Sequence, residues 1–237
     1  MSLALAHKRR TLAEGPAAAR AGAEAVAYSS ATALSSPANA KKHLRLMEDA
    51  LAQDLERVSA INSRELRQQL KRDELLPKYR DYVQRYRDSG LSFPNSVVMQ
   101  VLVWLFDTVQ FEAGLDLANF AMAQDQPMPE RFKRDVPTFV ADAVIEWAEA
   151  EQKAGRSPEP YLSDLLPRVD GEWQLTEQIP AKYHKLIGIR AMTAKDWAKA
   201  IAHFERATEL HAAVGVGTRL EGARKALTKE LAEKAAE

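Results

Sequence analysis

Arg64, Arg67, Lys71 and Arg72 cluster in the stretch "INSRELRQQLKRDELLPKYRDYV", residues 61–83. Spacings of three and four place Arg64, Arg67 and Lys71 on one face of a helix. A row of guanidinium and ammonium groups is suited to phosphate contact. Gln68 and Gln69, beside Arg64 and Arg67, add groups that can reach base edges in a groove. Arg57, Arg64, Lys71 and Lys78 recur every seven residues. That recurrence would lengthen the stripe, but Pro77 disfavours helical geometry at Leu76 and predicts a boundary there. Glu65, Asp73 and Glu74 dilute the positive field. A solvated helix face accounts for the same residues.

Other residues capable of chemistry are less organised. Lys8, Arg9 and Arg10 follow His7 near the start, and Lys41 with Lys42 opens the first apolar-periodic segment. Both groups are candidates for phosphate contact. Arg131, Lys133 and Arg134 form a basic island in an acidic region. Asp142, Glu146 and Glu149 lie four and three apart on one helix face, opposite an apolar stripe. Carboxylates that hold Mg²⁺ for nuclease chemistry must converge on the ion, so this row reads as a solvated face. The five histidines (7, 43, 184, 203 and 211) show no zinc-ligand spacing and read as packing or surface residues. There is no cysteine, no G-x-S-x-G and no Walker A loop. Disulfide and thiolate chemistry are thereby excluded, and neither P-loop nucleotide binding nor any cofactor is expected.

The elements that must position these groups are helical. The 237 residues are 46% hydrophobic and 28% charged, with only 10 glycines. No run alternates as a half-buried strand does. The longest apolar run, "VVMQVLVWLF" (97–106), is too short to span a bilayer, and no membrane partner is expected. Net charge is zero, yet residues 1–89 carry 16 Lys/Arg against 11 Asp/Glu, and residues 90–180 carry 6 against 15. A basic front and an acidic middle suit a polyanion partner or mutual attraction within an assembly.

Residues 1–40 read as a flexible basic and Ala-rich arm, too poor in large apolar groups to offset ordering entropy. Residues 41–90 form a basic helical segment suited to a polyanion such as nucleic acid. Leu44, Met47, Leu51, Leu55 and Val58 give it a first amphipathic helix. Asn62 or Ser63 caps the next helix, and Gly90 closes the one after Pro77. Residues 91–178 form an acidic helical core suited to self-assembly. Helices are expected at 96–108, 111–124 and 138–153, a proline-bearing loop at 125–137, and a short helix near 160–166. Residues 179–237 form a helical hairpin and tail, with helices at 180–193, 196–212 and 217–235. Gly188, Ala200, Phe204 and Ala207 match the small/large register of one tetratricopeptide unit. Phe111, Gly114, Leu115 and Ala121 echo Trp197, Ala200, Ile201 and Ala207 at a constant offset of 86. The fold class is therefore all-α, a helical bundle of packed hairpins.

Three phrases, in order and similarly spaced over about residues 45–225, carry a resemblance. They are "SRELRQQLKRDELLPKYRDYV", "VMQVLVWLFDTVQFEAGLDLANFAMAQDQPMPERFKRDVPTF" and "IPAKYHKLIGIRAMTAKDWAKAIAHFERATELHAAVGV". Within them stand "ELLP" at 74–77, W-x-x-D-T at Trp104, Asp107 and Thr108, "MP" at Met128–Pro129, and A-x-A-H-x-x-R-A-T-x-L at 200–210. Together they resemble the small terminase subunit of cos-packaging, contractile-tailed temperate phages of the Peduovirus type. The resemblance implies a homo-oligomer, often a ring, that recognises double-stranded phage DNA at the packaging start. It would present that DNA to the large ATPase–nuclease subunit in the cytoplasm of the bacterial host. The family's label "terminase endonuclease subunit" is read as describing the holoenzyme, so intrinsic catalysis is not expected. Relatives commonly end in a Lys/Arg-rich tail, whereas this chain ends "KELAEKAAE". That difference shifts weight onto the N-terminal "HKRR". Two rival classes predict different behaviour. A helical protein scaffold would need the Trp197–Ala207 face, and a metal-dependent endonuclease would need Asp142 and Glu146.

Overall fold

Every regular element among the described residues of the computed structural model, 33–34 and 37–235, is helical. The chain divides into two units, Met1–Leu46 and Met47–Glu237. Helix α1 (Pro37–Ser59) crosses that boundary, and everything after it belongs to the larger unit. The expected arm over residues 1–40 lies almost wholly outside the described residues.

Helix α2 (Arg64–Leu70) begins at Ser63, whose hydroxyl accepts from the Leu66 amide at 3.3 Å. The boundary expected before Pro77 is not there. A single π turn, Lys71–Leu75, leads directly into α3 (Leu76–Asp88). Leu75 (φ −75°, ψ −46°) and Leu76 (φ −59°, ψ −46°) keep right-handed helical geometry. In a regular helix, proline removes a donor and its ring meets the carbonyl four residues back. Here the Leu76 amide donates five residues back, to the Lys71 carbonyl, and the widened turn makes room for the ring. The preference of pre-proline residues for extended backbone is overridden locally.

Leu76, Tyr79, Tyr82, Val83 and Tyr86 are the buried face of α3. Gly90, at φ 66°, closes it as expected. Helix α4 (Ser96–Asp107), capped by Asn95, is buried without a break from Val97 to Phe106 and forms the centre of the larger unit. Helix α5 (Phe111–Ala123) folds back on it. Helix α6 (Val136–Lys153) starts at Asp135, which accepts from the Thr138 amide, and α7 (Tyr161–Pro167) follows. Helices α8 (Gln178–Thr193), α9 (Trp197–Leu210) and α10 (Gly217–Lys234) complete the chain. Phe204 and Ala200 of α9, Ala191 of α8, and Val216 with Ala223 form their common apolar cluster.

The offset of 86 reappears as geometry. Val109 and Lys195 both sit in the left-handed region, at φ 61° and 62°. The amides of Gln110 and Asp196 each reach back to the carbonyls of Leu105 and Ala191, both at 2.9 Å. The α4–α5 and α8–α9 hairpins therefore close with the same turn.

The hairpin α8–α9 also holds a titratable chain. Arg206 grips Asp170 with two nitrogens, at 2.8 and 2.9 Å. Asp170 lies 3.0 Å from His184 Nε2, and His184 Nδ1 lies 2.9 Å from His203 Nδ1. Burial, with the neighbouring His184 and Lys199 adding to it, pushes the His203 imidazole down to about 4. Burial also lowers His184, against the pull of Asp170. Unfolded imidazoles take up protons near 6.5, and the fold holds both below that, His203 down to about 4. Stability is thus fully present above about pH 6.5 and is lost as pH falls toward 4. We expect a loss of about 2 kcal/mol from His203 over that range, discounted for its partial exposure. Urea unfolding at several pH values checks it. His203→Gln should flatten the slope, and an unchanged slope would exclude His203 as its source.

Candidate nucleic-acid interface

The cations singled out in the sequence do not stand alike. Lys8, Arg9 and Arg10 lie outside the described residues. Lys41 and Lys42 are exposed in the first turns of α1, within the smaller unit. In the larger unit, Arg57 is committed to internal pairing. Its guanidinium reaches Asp54 at 2.9 Å and Glu74 at 2.7 Å. Lys71 donates to Asp107 at 2.6 Å, and only 11% of its side chain is exposed. Arg64 and Arg72 are exposed and have no ion-pair partner among the described residues. Arg67 is half-buried, and its Nε has no hydrogen-bond partner. The face shared by Arg64, Arg67 and Lys71 therefore faces solvent at Arg64 and turns into the protein at Lys71. The helix continues past Pro77, but the seven-residue stripe does not act as one surface. Arg57, Lys71 and Lys78 are each tied to a carboxylate.

The structure brings Arg64 and Gln68 of α2 up to the basic island that sequence left isolated. Together with Arg131, Lys133 and Arg134 they edge a cleft of about 700 Å³. Phe106, Phe132, Phe139 and Trp147 line it. Phe139 meets Phe132 edge-on at 5.3 Å and Phe106 at 5.5 Å between ring centroids. The Arg131 guanidinium lies 4.8 Å from the Phe132 centroid and donates to Gln100 Oε1 at 2.6 Å. Its hydrogen-bond partner is a neutral amide, and burial depresses its pKa. Arg134 pairs with Asp142.

That last pair corrects the reading of Asp142 as part of a solvated face. Its side chain is only 13% exposed, while Glu146 stays exposed at the cleft edge. Among the described residues, no group of three or more His, Cys, Asp or Glu side chains is disposed to hold a metal ion. No described helix is long and apolar enough to cross a membrane.

Sequence reasoning missed the cleft as a unit. The run Arg131–Arg134 was visible, and so was the apolar stripe of α6. Nothing in the spacing announced that Arg64 and Gln68 of α2 would border the same cleft. The His184–Asp170 contact, fourteen residues apart across a kinked turn, was equally silent.

The comparisons with known proteins bear on this same region. The family described as phage small terminase subunit matches residues 49–178, more than half of the chain. A probable terminase, endonuclease subunit, of Haemophilus phage HP1 (strain HP1c1) is 37% identical over 141 residues, covering 60% of this chain and 50% of that protein. A terminase, endonuclease subunit, of Escherichia phage P2 is 30% identical over 171 residues, covering 72% of this chain and 69% of that protein. The match to the HP1 protein thus spans half of that protein's length. No solved structure matches. The matched span contains α2 through α7 and the whole cleft, and it ends at the start of α8.

Proposed function

The chain belongs to the phage small terminase subunit family, and from that premise we propose that it binds double-stranded phage DNA at the packaging start and hands it to a large ATPase–nuclease subunit. The observation that carries this reading is the set Arg64, Arg67 and Arg72, cations on α2 and the turn after it that lack ion-pair partners among the described residues. Five other cations of α1 to α3 are spent on internal carboxylates, namely Arg57, Lys71, Lys78, Arg85 and Arg87, whereas Lys41, Lys42, Arg45 and Arg80 are not among the described residues. Unpaired guanidiniums on one turn and the next suit phosphate contact, which sets register and affinity. Few contacts per chain suffice when several copies act together, so the reading includes a homo-oligomer, in ring form if it closes. The hairpin α8–α9, beyond the family match, is the part left for the large subunit.

The word endonuclease in the relatives' names describes those proteins. In this chain Asp142 is neutralised by Arg134, which favours a non-catalytic subunit working with a nuclease partner in the host cytoplasm. Residues 41–90 remain the proposed DNA-contact segment, 91–178 the assembly core and 179–237 the partner-binding hairpin.

The test is binding of the full chain to packaging-start duplex and to random duplex of equal length across a salt series. We expect a preference that survives rising salt. We also expect Arg64→Glu with Arg72→Glu to weaken binding at least about tenfold and to lower the salt slope by about two. Equal, salt-labile binding to both duplexes would leave only a polyanion patch. No binding at low salt would sink the DNA reading and leave the protein scaffold standing.

A further inference from the structure

The duplex-binding face uses Arg64 but leaves the cleft beside it unexplained. Its walls combine three kinds of group. Phe132, Phe139 and Trp147 are each only partly buried and present aromatic surface. Lys133 has no ion-pair partner among the described residues, and Arg131 hydrogen-bonds only to a neutral amide. Exposed Glu146 supplies an acceptor at the edge of the same cleft. We propose that this cleft binds single-stranded nucleic acid, stacking an unpaired base on its aromatic wall and holding the flanking phosphates at Arg131 and Lys133.

The division of labour follows from the chemistry. Cations suit phosphate, but they do not account for acceptors in the same cleft. The exposed Glu146 carboxylate can accept from the exocyclic amines of adenine, cytosine or guanine. Aromatic faces supply stacking that every base can use. A volume of about 700 Å³ holds a nucleotide unit and excludes a duplex. The leading rival occupant is an acidic peptide with an aromatic residue. It would meet the same cations and the same opposing Glu146, but it brings one aromatic face where a strand brings one at every nucleotide, so the aromatic wall favours nucleic acid. The inference rests on the DNA-binding reading above and adds a second, base-dependent mode beside the duplex face.

The test uses the full chain and fluorescence anisotropy. Its probes are a mixed-sequence single strand of about 20 nucleotides, the same strand made abasic throughout, and the blunt duplex; stacking is worth about 1–3 kcal/mol per base. The ordinary strand should bind about tenfold more tightly than the abasic strand. Phe132→Ala should remove that difference and leave duplex binding within about twofold, because stacking is the interaction it deletes. Lys133→Ala, on an exposed loop, should weaken the ordinary strand about three- to tenfold and serves where Phe132→Ala does not fold. Equal affinity for ordinary and abasic strands overturns the inference. So does a folded Phe132→Ala chain that loses strand and duplex alike. A Phe- and Glu-rich peptide that binds and is released by Phe132→Ala, with no base-dependent strand binding, would reassign the cleft to protein. If the duplex still binds in any of these cases, the duplex reading survives. If neither duplex nor strand binds, that reading falls as well.

Discussion

Asp54→Ala is expected to destabilise the larger unit by about 3 kcal/mol, which lowers Tm by about 10 °C for a chain of this size. Asp54 is 3% exposed in its side chain and accepts three hydrogen bonds. Lys78 Nζ donates at 2.6 Å, the Tyr79 hydroxyl at 2.7 Å and Arg57 Nη1 at 2.9 Å. Burial works against its charge, yet these donors outweigh burial and hold its pKa below the ordinary carboxylate value. The carboxylate joins α1 to α3, and Tyr79 carries the connection on to Trp104, 5.8 Å away between centroids. Removing the acceptor leaves the buried Tyr79 hydroxyl without its partner, which costs about 1–3 kcal/mol by itself. Tyr79 is wholly buried, and it resists ionisation because of that burial and the adjoining carboxylate. A double-mutant cycle isolates the link. Tyr79→Phe should cost about 1 kcal/mol alone and nothing measurable in the Asp54→Ala background. Chemical denaturation of the four proteins gives the answer. Additive losses would show that Asp54 acts through its two cations rather than through Tyr79.

Asp54 also marks where sequence reading stops short. An acid at position 54, in a helix with Leu51 and Leu55 on its apolar side, looks like any surface carboxylate. Only the approach of α3 makes it a buried acceptor. The elements themselves were legible, because apolar period, caps and turn residues are local. Helices were expected at 96–108, 111–124 and 138–153, and they run at Ser96–Asp107, Phe111–Ala123 and Val136–Lys153. Ser63, Asn95 and Gly90 end or begin helices as their types require. Pro77 misled because the π turn that accommodates it has no sequence signature stronger than the proline's own preference. The cations misled for the opposite reason. Their types were visible, but which ones are spent on Asp54, Glu74 and Asp107 is decided by contacts 17 to 36 residues away in sequence.

Gly188→Ala should cost about 3 kcal/mol, the upper part of the range for overpacking a tight core, because the new methyl has nowhere to go. A Cβ at Gly188 would lie 2.6 Å from Phe204 Cε1 and 2.8 Å from Cδ1. Phe204 is wholly buried and is held in a cluster with Ala191, Ala200 and Val216. Its ring cannot swing aside without opening that cluster, so α8 and α9 must separate by several tenths of an ångström. Close-packed interiors resist such shifts. Gly114 poses the same problem in the α4–α5 hairpin, where a Cβ would sit 2.9 Å from Phe106 Cε2. The order is inverted there, with the large residue on the first helix and the small one on the second. Both hairpins thus need one glycine against one phenylalanine, and that requirement explains why their sequences echo without matching. The contact at Gly114 is longer and Phe106 borders the cleft, so Gly114→Ala should cost less, about 1–2 kcal/mol. Shrinking the opposing ring tests the mechanism. Phe204→Leu alone should cost about 1–2 kcal/mol, and combining it with Gly188→Ala should cost clearly less than the sum. Thermal unfolding of the single and double variants decides it. Strict additivity would mean that Gly188 is required for something other than the approach of Phe204, and the account of the hairpin's close crossing would fail.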